Sequence, residues 1–240
     1  MPQQADRLKA VIFDVDGTLY RQVPLRRAML LRLVRTHLAH PVKGWRTIRT
    51  LSAYRRAQED LRGDVSGDVA GAQIRIACER TGSDRASVMV CVERWMEQEP
   101  LALLPRCMYS GLVEFLRACK ARGLRIAALS DYPAAAKLEA LGIADLFDVV
   151  LCAQSPEIGV FKPHPRGLTV VAGRLGVTVD ECLYVGDRAE VDAAAAAAAG
   201  MPCAIVTREK ALPADIHKTV SSYLELQELL FGSCPSRSAA

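Results

Sequence analysis

Polar side chains able to do chemistry follow several short apolar runs of this chain. Asp14 and Asp16 end the run LKAVIFDVD, Ser130 ends LRIAALS, and Asp187 follows ECLYVG. Lys162 lies a few residues beyond the run DVVLCAQ, in GVFKPHP. Carboxylates act as nucleophiles and proton carriers, and hydroxyl and ammonium groups bind anions. These residues follow different apolar runs, and together they form a candidate site.

The acidic members of this set predict a metal ion. Carboxylates brought to one place in a desolvated site repel each other strongly unless a cation lies between them. The aspartates at the strand ends offer oxygen donors, with no Cys or His among them. Hard oxygen donors are the ligands that Mg²⁺ prefers. We therefore expect Mg²⁺ as the cofactor.

The elements that position these residues alternate along the chain. Short runs that are apolar on both faces are typical of buried parallel strands, and amphipathic helices separate them. The predicted strands are 8–16, 124–131, 148–154, 181–187 and 202–207, and the predicted helices are 109–121, 133–141, 165–175 and 189–199. This alternation predicts an α/β fold, a doubly wound parallel sheet in a Rossmann-like three-layer sandwich. Ligands bind such sheets at the carboxyl ends of the strands, where the polar residues lie.

One segment interrupts the alternation. Residues 21–104 contain four helical stretches and no convincing strand, which predicts an inserted all-helical cap domain. The stretches are 24–39, 43–61, 67–80 and 84–98, and LALLPRCMYS follows as a return hinge. Residues 1–20 and 105–232 then form the catalytic core, with an edge strand and a closing helix in KTVSSYLELQELL. Residues 233–240 are expected to be a disordered tail.

Four motifs in order carry a family resemblance. DVDGT, Ser130, Lys162 and GDRAEVD resemble the motifs of the haloacid dehalogenase-like hydrolase superfamily. The match runs through the whole core, and the helical insert lies where the family's type-one cap lies, as in phosphoglycolate phosphatase-like members. A DxD pair alone would be weak evidence, whereas four motifs in order, each at a strand end, are specific.

The resemblance implies a catalytic role for both aspartates of DVDGT. Asp14 would attack phosphorus and form an aspartyl-phosphate. Asp16 would protonate the leaving alkoxide and then activate the hydrolytic water. Because a free Asp has a pKa of about 3.9, the site is expected to raise the pKa of Asp16 through nearby negative charge.

The resemblance also implies which residues bind the phosphate and the metal. Gly17 and Thr18 would offer backbone N–H groups to the phosphoryl oxygens, Ser130 would donate a hydrogen bond, and Lys162 would neutralise charge. Mg²⁺ would be held by the Asp14 carboxylate, the Asp16 carbonyl and Asp187, and Asp192 would brace the metal's water shell. Asp192 is equally suited to capping the alanine-rich helix Ala193–Ala199. Asp131, Arg188 and Glu190 are interpreted as bystanders or ion-pair partners, and His164 receives no role.

The expected function is hydrolysis of phosphoric monoesters on a small phosphorylated metabolite. A phosphomutase would use the same four motifs with a cap that holds a bis-phosphorylated sugar. Asp16 argues against a dehalogenase, because family members that cleave carbon–halogen bonds lack the second Asp. A non-catalytic binding protein would not need the whole set of catalytic residues.

The positive charge of the chain is concentrated in the predicted cap. Residues 21–56 hold ten of the 31 Lys and Arg residues and no acid, so the rest of the chain has 21 bases against 27 acids, a balance of −6. A solvated basic face is one interpretation; steering of an anionic substrate and contact with an anionic lipid surface are two others. Nucleic acid is not expected, because Trp45 and Tyr54 are the only aromatic residues available there for stacking.

The remaining features predict a cytoplasmic protein. The N-terminus has no apolar signal region, and no apolar stretch reaches the roughly 18 residues of a membrane-spanning helix. The eight cysteines lack CxxC pairs and lie mostly in apolar runs, which favours buried reduced thiols. Monomer and homodimer both remain open.

Overall fold

A six-stranded sheet forms the centre of the molecule in the computed structural model, which describes residues 7–207 and 218–232. The strands are β1 (Ala10–Phe13), β2 (Arg125–Ser130), β3 (Val149–Cys152), β4 (Cys182–Gly186), β5 (Cys203–Val206) and β6 (Lys218–Val220). All neighbouring pairs are parallel, in the order β3-β2-β1-β4-β5-β6. The predicted doubly wound parallel sheet is confirmed, and so is the edge strand near its C-terminal end.

Ten α-helices are described in these two ranges. They are α1 (Gln22–Thr36), α2 (Pro41–Asp60), α3 (Val69–Thr81), α4 (Arg85–Val92), α5 (Leu104–Cys107), α6 (Leu112–Ala121), α7 (Ala135–Leu141), α8 (Arg166–Leu175), α9 (Ala194–Ala199) and α10 (Tyr223–Phe231). Short 3₁₀ turns lie at Leu101–Leu103, Ala144–Leu146 and Val179–Glu181, and π-helical turns at Glu93–Gln98 and Ala189–Ala193.

The two faces of the sheet carry separate hydrophobic cores. Successive side chains of a strand point to opposite faces, so Val11 and Phe13 of β1 pack on one side while Ala10 and Ile12 pack on the other. Helices α6, α7 and α10 cover the first face, and α8 and α9 cover the second. The predicted three-layer sandwich therefore follows from the alternation within strands that are buried on both faces.

The alanine-rich segment is helical, as predicted, but it begins with a π turn. Ala193, Ala195 and Ala196 are buried against the sheet, where small side chains allow close approach. The π turn Ala189–Ala193 carries Asp192, a residue that is 1% exposed. Single π turns inside helices are frequent at functional sites, because they redirect one side chain.

The helical region predicted after the first strand is confirmed. Helices α1 to α4 follow β1, and α4 continues into the π turn Glu93–Gln98, which buries Trp95. The return segment is helical too, in the 3₁₀ turn Leu101–Leu103 and in α5. The division of the chain into domains at residues 20 and 105 stays a prediction.

Two further findings concern the chain as a whole. Within the described residues, no helix combines the length and the apolar character needed to cross a membrane. The seven described cysteines are free, in line with the predicted reduced thiols, and Cys234 lies outside the described residues. The predicted tail 233–240 also lies outside them.

Candidate active site

The carboxyl ends of β1, β2 and β4 bring the predicted residues to one edge of the sheet. Asp14 follows β1, Ser130 ends β2, and Asp187 follows β4. β1 lies between β2 and β4, so the side chains from all three strands face a common space. The structure thus places these residues together, as the strand order requires.

Lys162 is the centre of a buried polar cluster around Asp14. Its Nζ donates to Asp14 Oδ1 at 2.6 Å, to Asp192 Oδ1 at 2.7 Å and to the Tyr184 hydroxyl at 2.9 Å. Burial lowers the pKa of Lys162, but attraction to Asp14 and Asp192 outweighs burial and leaves the pKa well above its usual value. Lys162 is therefore a permanent cation that holds the predicted nucleophile in place.

Three carboxylates converge in this cluster. Asp14, Asp187 and Asp192 each contribute an oxygen to a group whose atoms lie within 4.8 Å of one another. Burial, followed by repulsion from Asp192, raises the pKa of Asp187 to about 7. Burial also raises the pKa of Asp14, with repulsion from Asp192 and Asp187 opposing the attraction of Lys162. This excess of negative charge and the oxygen-only donor set fit a hard divalent cation.

Asp192 lies closer to the centre than its predicted bracing role required. Besides Lys162, it binds the Tyr184 hydroxyl at 3.0 Å and accepts backbone N–H groups of Asp187 at 3.2 Å and Arg188 at 3.0 Å. Burial raises the pKa of Asp192, yet these partners bring it below the usual value, with Lys162 the largest. Asp192 thus orients the loop that carries Asp187.

Asp16 points to the opposite side of the site and meets a lysine that the sequence analysis did not identify. Lys137 Nζ lies 2.7 Å from both carboxylate oxygens, the Tyr20 hydroxyl also donates to Asp16, and Ser130 Oγ lies 3.4 Å away. Burial raises the pKa of Asp16, but Lys137 and Tyr20 outweigh burial and lower it below the usual value. The expectation that the site raises the pKa of Asp16 was wrong for this arrangement, because a buried ammonium faces the carboxylate.

The helix that carries Lys137 gives one indication that this lysine has a buried partner. It stands on α7 with Leu138 and Leu141, all three are buried, and Lys137 itself is only 7% exposed. A lysine among buried apolar positions of a short helix needs a partner. The sequence did not indicate which of the acids this partner is.

Gly17 and Thr18 shape the loop after β1. Gly17 has φ +112°, and a Cβ at this position would overlap the Asp187 carboxylate, so only glycine fits. Thr18 is fully buried, and its hydroxyl donates to Asp14 Oδ2 at 3.0 Å. The predicted contacts of their backbone N–H groups with phosphoryl oxygens stay predictions.

The inserted helices reach the site through the end of α2 and through Arg62, two residues after it. Gln58 donates to Asp131 at 2.6 Å, and Arg62 pairs with Asp131 at 3.1 Å and donates to the Lys162 carbonyl. Arg188 pairs with Glu59 of α2 at 3.3 Å and with Glu190 at 2.9 Å. The interpretation of Asp131, Arg188 and Glu190 as ion-pair partners is confirmed. The ion pairs of Asp131 and Arg188 join the insert to the core.

A cavity of about 550 Å³ lies between the insert and this edge of the sheet. Asp14, Asp16, Lys162 and Asp187 line it from the core side. α1, α2 and the π turn around Trp95 line it from the other side. His164, which the sequence analysis left without a role, does not line the cavity.

The sequence of this chain is similar to those of known proteins. The family model described as haloacid dehalogenase-like hydrolase matches residues 8–200. The chain belongs to the haloacid dehalogenase-like hydrolase family. A phosphoglycolate phosphatase from Rhodospirillum rubrum is 32% identical over 211 residues, which cover 83% of this chain and 79% of that protein. A glyceraldehyde 3-phosphate phosphatase from Methanopyrus kandleri is 29% identical over 208 residues, 85% of either chain.

Solved structures share the fold. A HAD phosphatase from Thermococcus onnurineus superposes with a TM-score of 0.61 at 23% identity, over 94% of this chain and 99% of that one. A 2-haloacid dehalogenase from Pseudomonas syringae superposes with a TM-score of 0.66 at 22% identity, over 93% and 98%. Because one fold serves both reactions, the reaction must be argued from the site.

Proposed function

We propose that the chain is a phosphatase that hydrolyses phosphoric monoesters of a small metabolite through an aspartyl-phosphate. The observation that carries the proposal is the pair of carboxylates two residues apart in one cavity, with different partners. Asp14 is held by Lys162, and Asp16 is held by Lys137 and Tyr20. The two carboxylates thus have different electrostatic environments, as separate roles require, although in the free protein burial raises the pKa of Asp14 and Lys137 lowers that of Asp16.

Asp14 and Asp16 divide the chemistry between them. An Asp14 oxygen attacks phosphorus, the bond between phosphorus and the ester oxygen breaks, and Asp16 delivers a proton to the departing alkoxide. Asp16 then takes a proton from water as the water oxygen attacks the aspartyl-phosphate. The products are an alcohol and inorganic phosphate, and Asp14 is regenerated.

Asp16 must hold a proton in the first step, although Lys137 lowers its pKa in the free protein. A phosphate dianion bound beside Asp16 adds negative charge and shifts the pKa of Asp16 upwards. Substrate binding itself therefore moves Asp16 towards the protonated form that the first step needs.

The other site residues bind and neutralise the phosphoryl group. Ser130 and the backbone N–H groups of Gly17 and Thr18 donate to its oxygens, and Lys162 neutralises charge shared between phosphate and Asp14. Mg²⁺ would be held by the carboxylates of Asp14 and Asp187 and the carbonyl of Asp16, with Asp192 beside them. When bound, the ion supplies positive charge that offsets the repulsion between Asp14 and the phosphate.

Turnover of p-nitrophenyl phosphate with Mg²⁺ tests the proposal. We expect hydrolysis by the wild type and a loss on the order of a thousandfold or more in Asp14→Asn, because the amide cannot attack phosphorus. Asp180→Asn is the matched control, since Asp180 pairs with Arg7 on an exposed surface and does not line the cavity. Turnover by Asp14→Asn close to that of the control would contradict the nucleophile assignment.

We also propose that the insert rests on an anionic lipid surface. Eight of the thirteen exposed large apolar residues of the described chain lie in one stretch, which runs from α1 through the connecting turn into the first half of α2. They are Val23, Leu30, Leu31, Val34, Leu38, Val42, Trp45 and Ile48. The same stretch carries only basic charge. Exposed apolar groups interleaved with Lys and Arg are typical of helices that bind acidic membranes.

Sedimentation with vesicles tests this second proposal. We expect binding to vesicles that contain phosphatidylglycerol and weaker binding to purely zwitterionic ones. Arg46→Glu together with Arg27→Glu should weaken binding by about tenfold or more, since a polybasic segment gains about 1 kcal/mol per base near such a surface. Arg117→Glu, an exposed arginine on α6, is the control and should bind as the wild type does. Binding that ignores acidic lipid would end the proposal.

A further inference from the structure

The cavity beside the catalytic residues has two chemically different walls. The core wall carries Asp14, Asp16, Asp187 and Lys162, whereas the insert wall combines charged residues such as Arg55, Glu59 and Glu97 with apolar ones. Apart from the tyrosines, every apolar lining residue except Val191 comes from the insert and the turn that closes it. α1 contributes Leu25, Met29 and Leu33 at helical spacing, α2 contributes Ile48 and Leu51, and Trp95 and Met96 complete this wall. A phosphate held at the core end would therefore point its leaving group at an apolar surface.

Part of this apolar wall is exposed to solvent. Leu30 and Ile48 line the cavity with 57% and 43% of their surfaces exposed. Leu51 also lines it and belongs to none of the hydrophobic core clusters. Covering such side chains with an apolar ligand removes them from water and is favourable.

The size of the cavity also favours a substrate with an apolar leaving group. A volume of about 550 Å³ falls in the range that encloses drug-sized ligands. The substrates in the names of the two curated relatives are esters of two- and three-carbon units, and a volume of about 550 Å³ has room for a larger leaving group. Arg55 and Arg56 of α2 also line the cavity and form no ion pair with a described residue, so their charge can draw an anionic substrate into the cavity.

We infer that the preferred substrate is an amphiphilic phosphate monoester, whose leaving group carries an apolar chain or ring that packs against α1, α2 and Trp95. The inference rests on the proposed phosphatase activity and names its substrate class. Catalytic residues of the core act on the phosphate, and the insert selects the apolar part by burial.

A series of n-alkyl phosphates from methyl to hexyl tests the inference, with phosphoglycolate as a compact reference. The measured quantity is kcat/KM from release of inorganic phosphate in the presence of Mg²⁺. We expect kcat/KM to rise with chain length, by up to about fourfold per methylene buried and by at least about tenfold across the series. Hexyl phosphate should also exceed phosphoglycolate.

Two matched variants locate the preference. Leu51→Gln should lower the hexyl-to-methyl ratio about fivefold or more, because it places an amide in the apolar wall. Met89→Gln is the control, since Met89 lies on α4 of the insert with 46% exposure but does not line the cavity. Its ratio should equal that of the wild type.

The outcomes separate the inference from the proposed function. Hydrolysis of all esters with no rise along the series, or a ratio that falls equally in both variants, overturns the inference and leaves the phosphatase proposal intact. Hydrolysis of none of these esters overturns both.

Discussion

At the scale of single residues, Lys137 is the neighbour that sets the charge of Asp16. Without a counter-charge, burial would leave Asp16 protonated over much of the acidic pH range. Lys137, 7% exposed and 2.7 Å from both oxygens of Asp16, reverses this and favours the carboxylate. Asp16 is therefore a carboxylate anion in the free protein. It can act as a proton donor only after the negative charge of the bound substrate has raised its pKa.

Lys137→Met should change the pH dependence of turnover of an alkyl phosphate. Removing the ammonium raises the pKa of Asp16, since burial is then opposed only by weaker partners. A proton donor fails as pH rises through its pKa, so the alkaline limb of the kcat profile should move to higher pH. Lys120→Met, on a partly exposed lysine that pairs with Asp148, is the control. An unmoved alkaline limb, or one that moves to lower pH, would exclude this role for Lys137.

At the scale of elements, the loop between β1 and α1 depends on the positive φ of Gly17. Gly17 turns the chain with φ +112°, directly beneath the Asp187 carboxylate from the loop after β4. Neither loop can approach the other if a side chain is added at this position. The spacing of the two acidic loops is thus set by the absence of a Cβ.

Gly17→Ala should abolish phosphatase activity. The control Gly63→Ala separates the effect of displacing Asp187 from the effect of backbone strain. Gly63 has nearly the same φ, +110°, but nothing lies within 4 Å of an added Cβ there. Both variants should lose about 1–3 kcal/mol of unfolding free energy through backbone strain. Only Gly17→Ala should lose activity as well, because it displaces Asp187. Equal activities of the two variants, measured on p-nitrophenyl phosphate, would refute the argument.

At the scale of the whole molecule, the site is held together at a cost in stability that a cation offsets. The pKa of Asp187 is about 7 in the folded chain and about 3.8 for an ordinary Asp, so between these values the folded state binds more protons than the unfolded state. The contribution of Asp187 to the stability of the metal-free protein then falls as pH rises from about 4 to about 7. Binding of a cation to the folded state opposes this loss.

Asp187→Asn should therefore stabilise the protein in the presence of EDTA at pH 8. We expect a rise in Tm of about 3 °C or more, the effect of roughly 1 kcal/mol on a chain of this size. The difference from the wild type should shrink towards pH 4, where both side chains are neutral. Mg²⁺ should raise the Tm of the wild type more than that of the variant. A metal-free variant less stable than the wild type at pH 8 would disprove the linkage.

The sequence by itself determined the sheet, the helical insert and the positions of Asp14, Ser130 and Asp187. Strands and helices follow from local apolar patterns, and the ends of parallel strands must meet at one edge. Residues that follow such strands are brought together whatever the rest of the chain does. The predicted cluster could therefore be placed before any contact was known.

Only the tertiary structure decided the partners across the site. Lys137 meets Asp16 across 121 residues, Arg62 of the insert meets Asp131, and the apolar wall of the cavity faces the carboxylates. These contacts join elements whose relative placement depends on packing, which a local pattern does not encode. For the same reason the charge of Asp16 was mispredicted, because a pKa depends on the nearest charges in space and these come from distant parts of the chain.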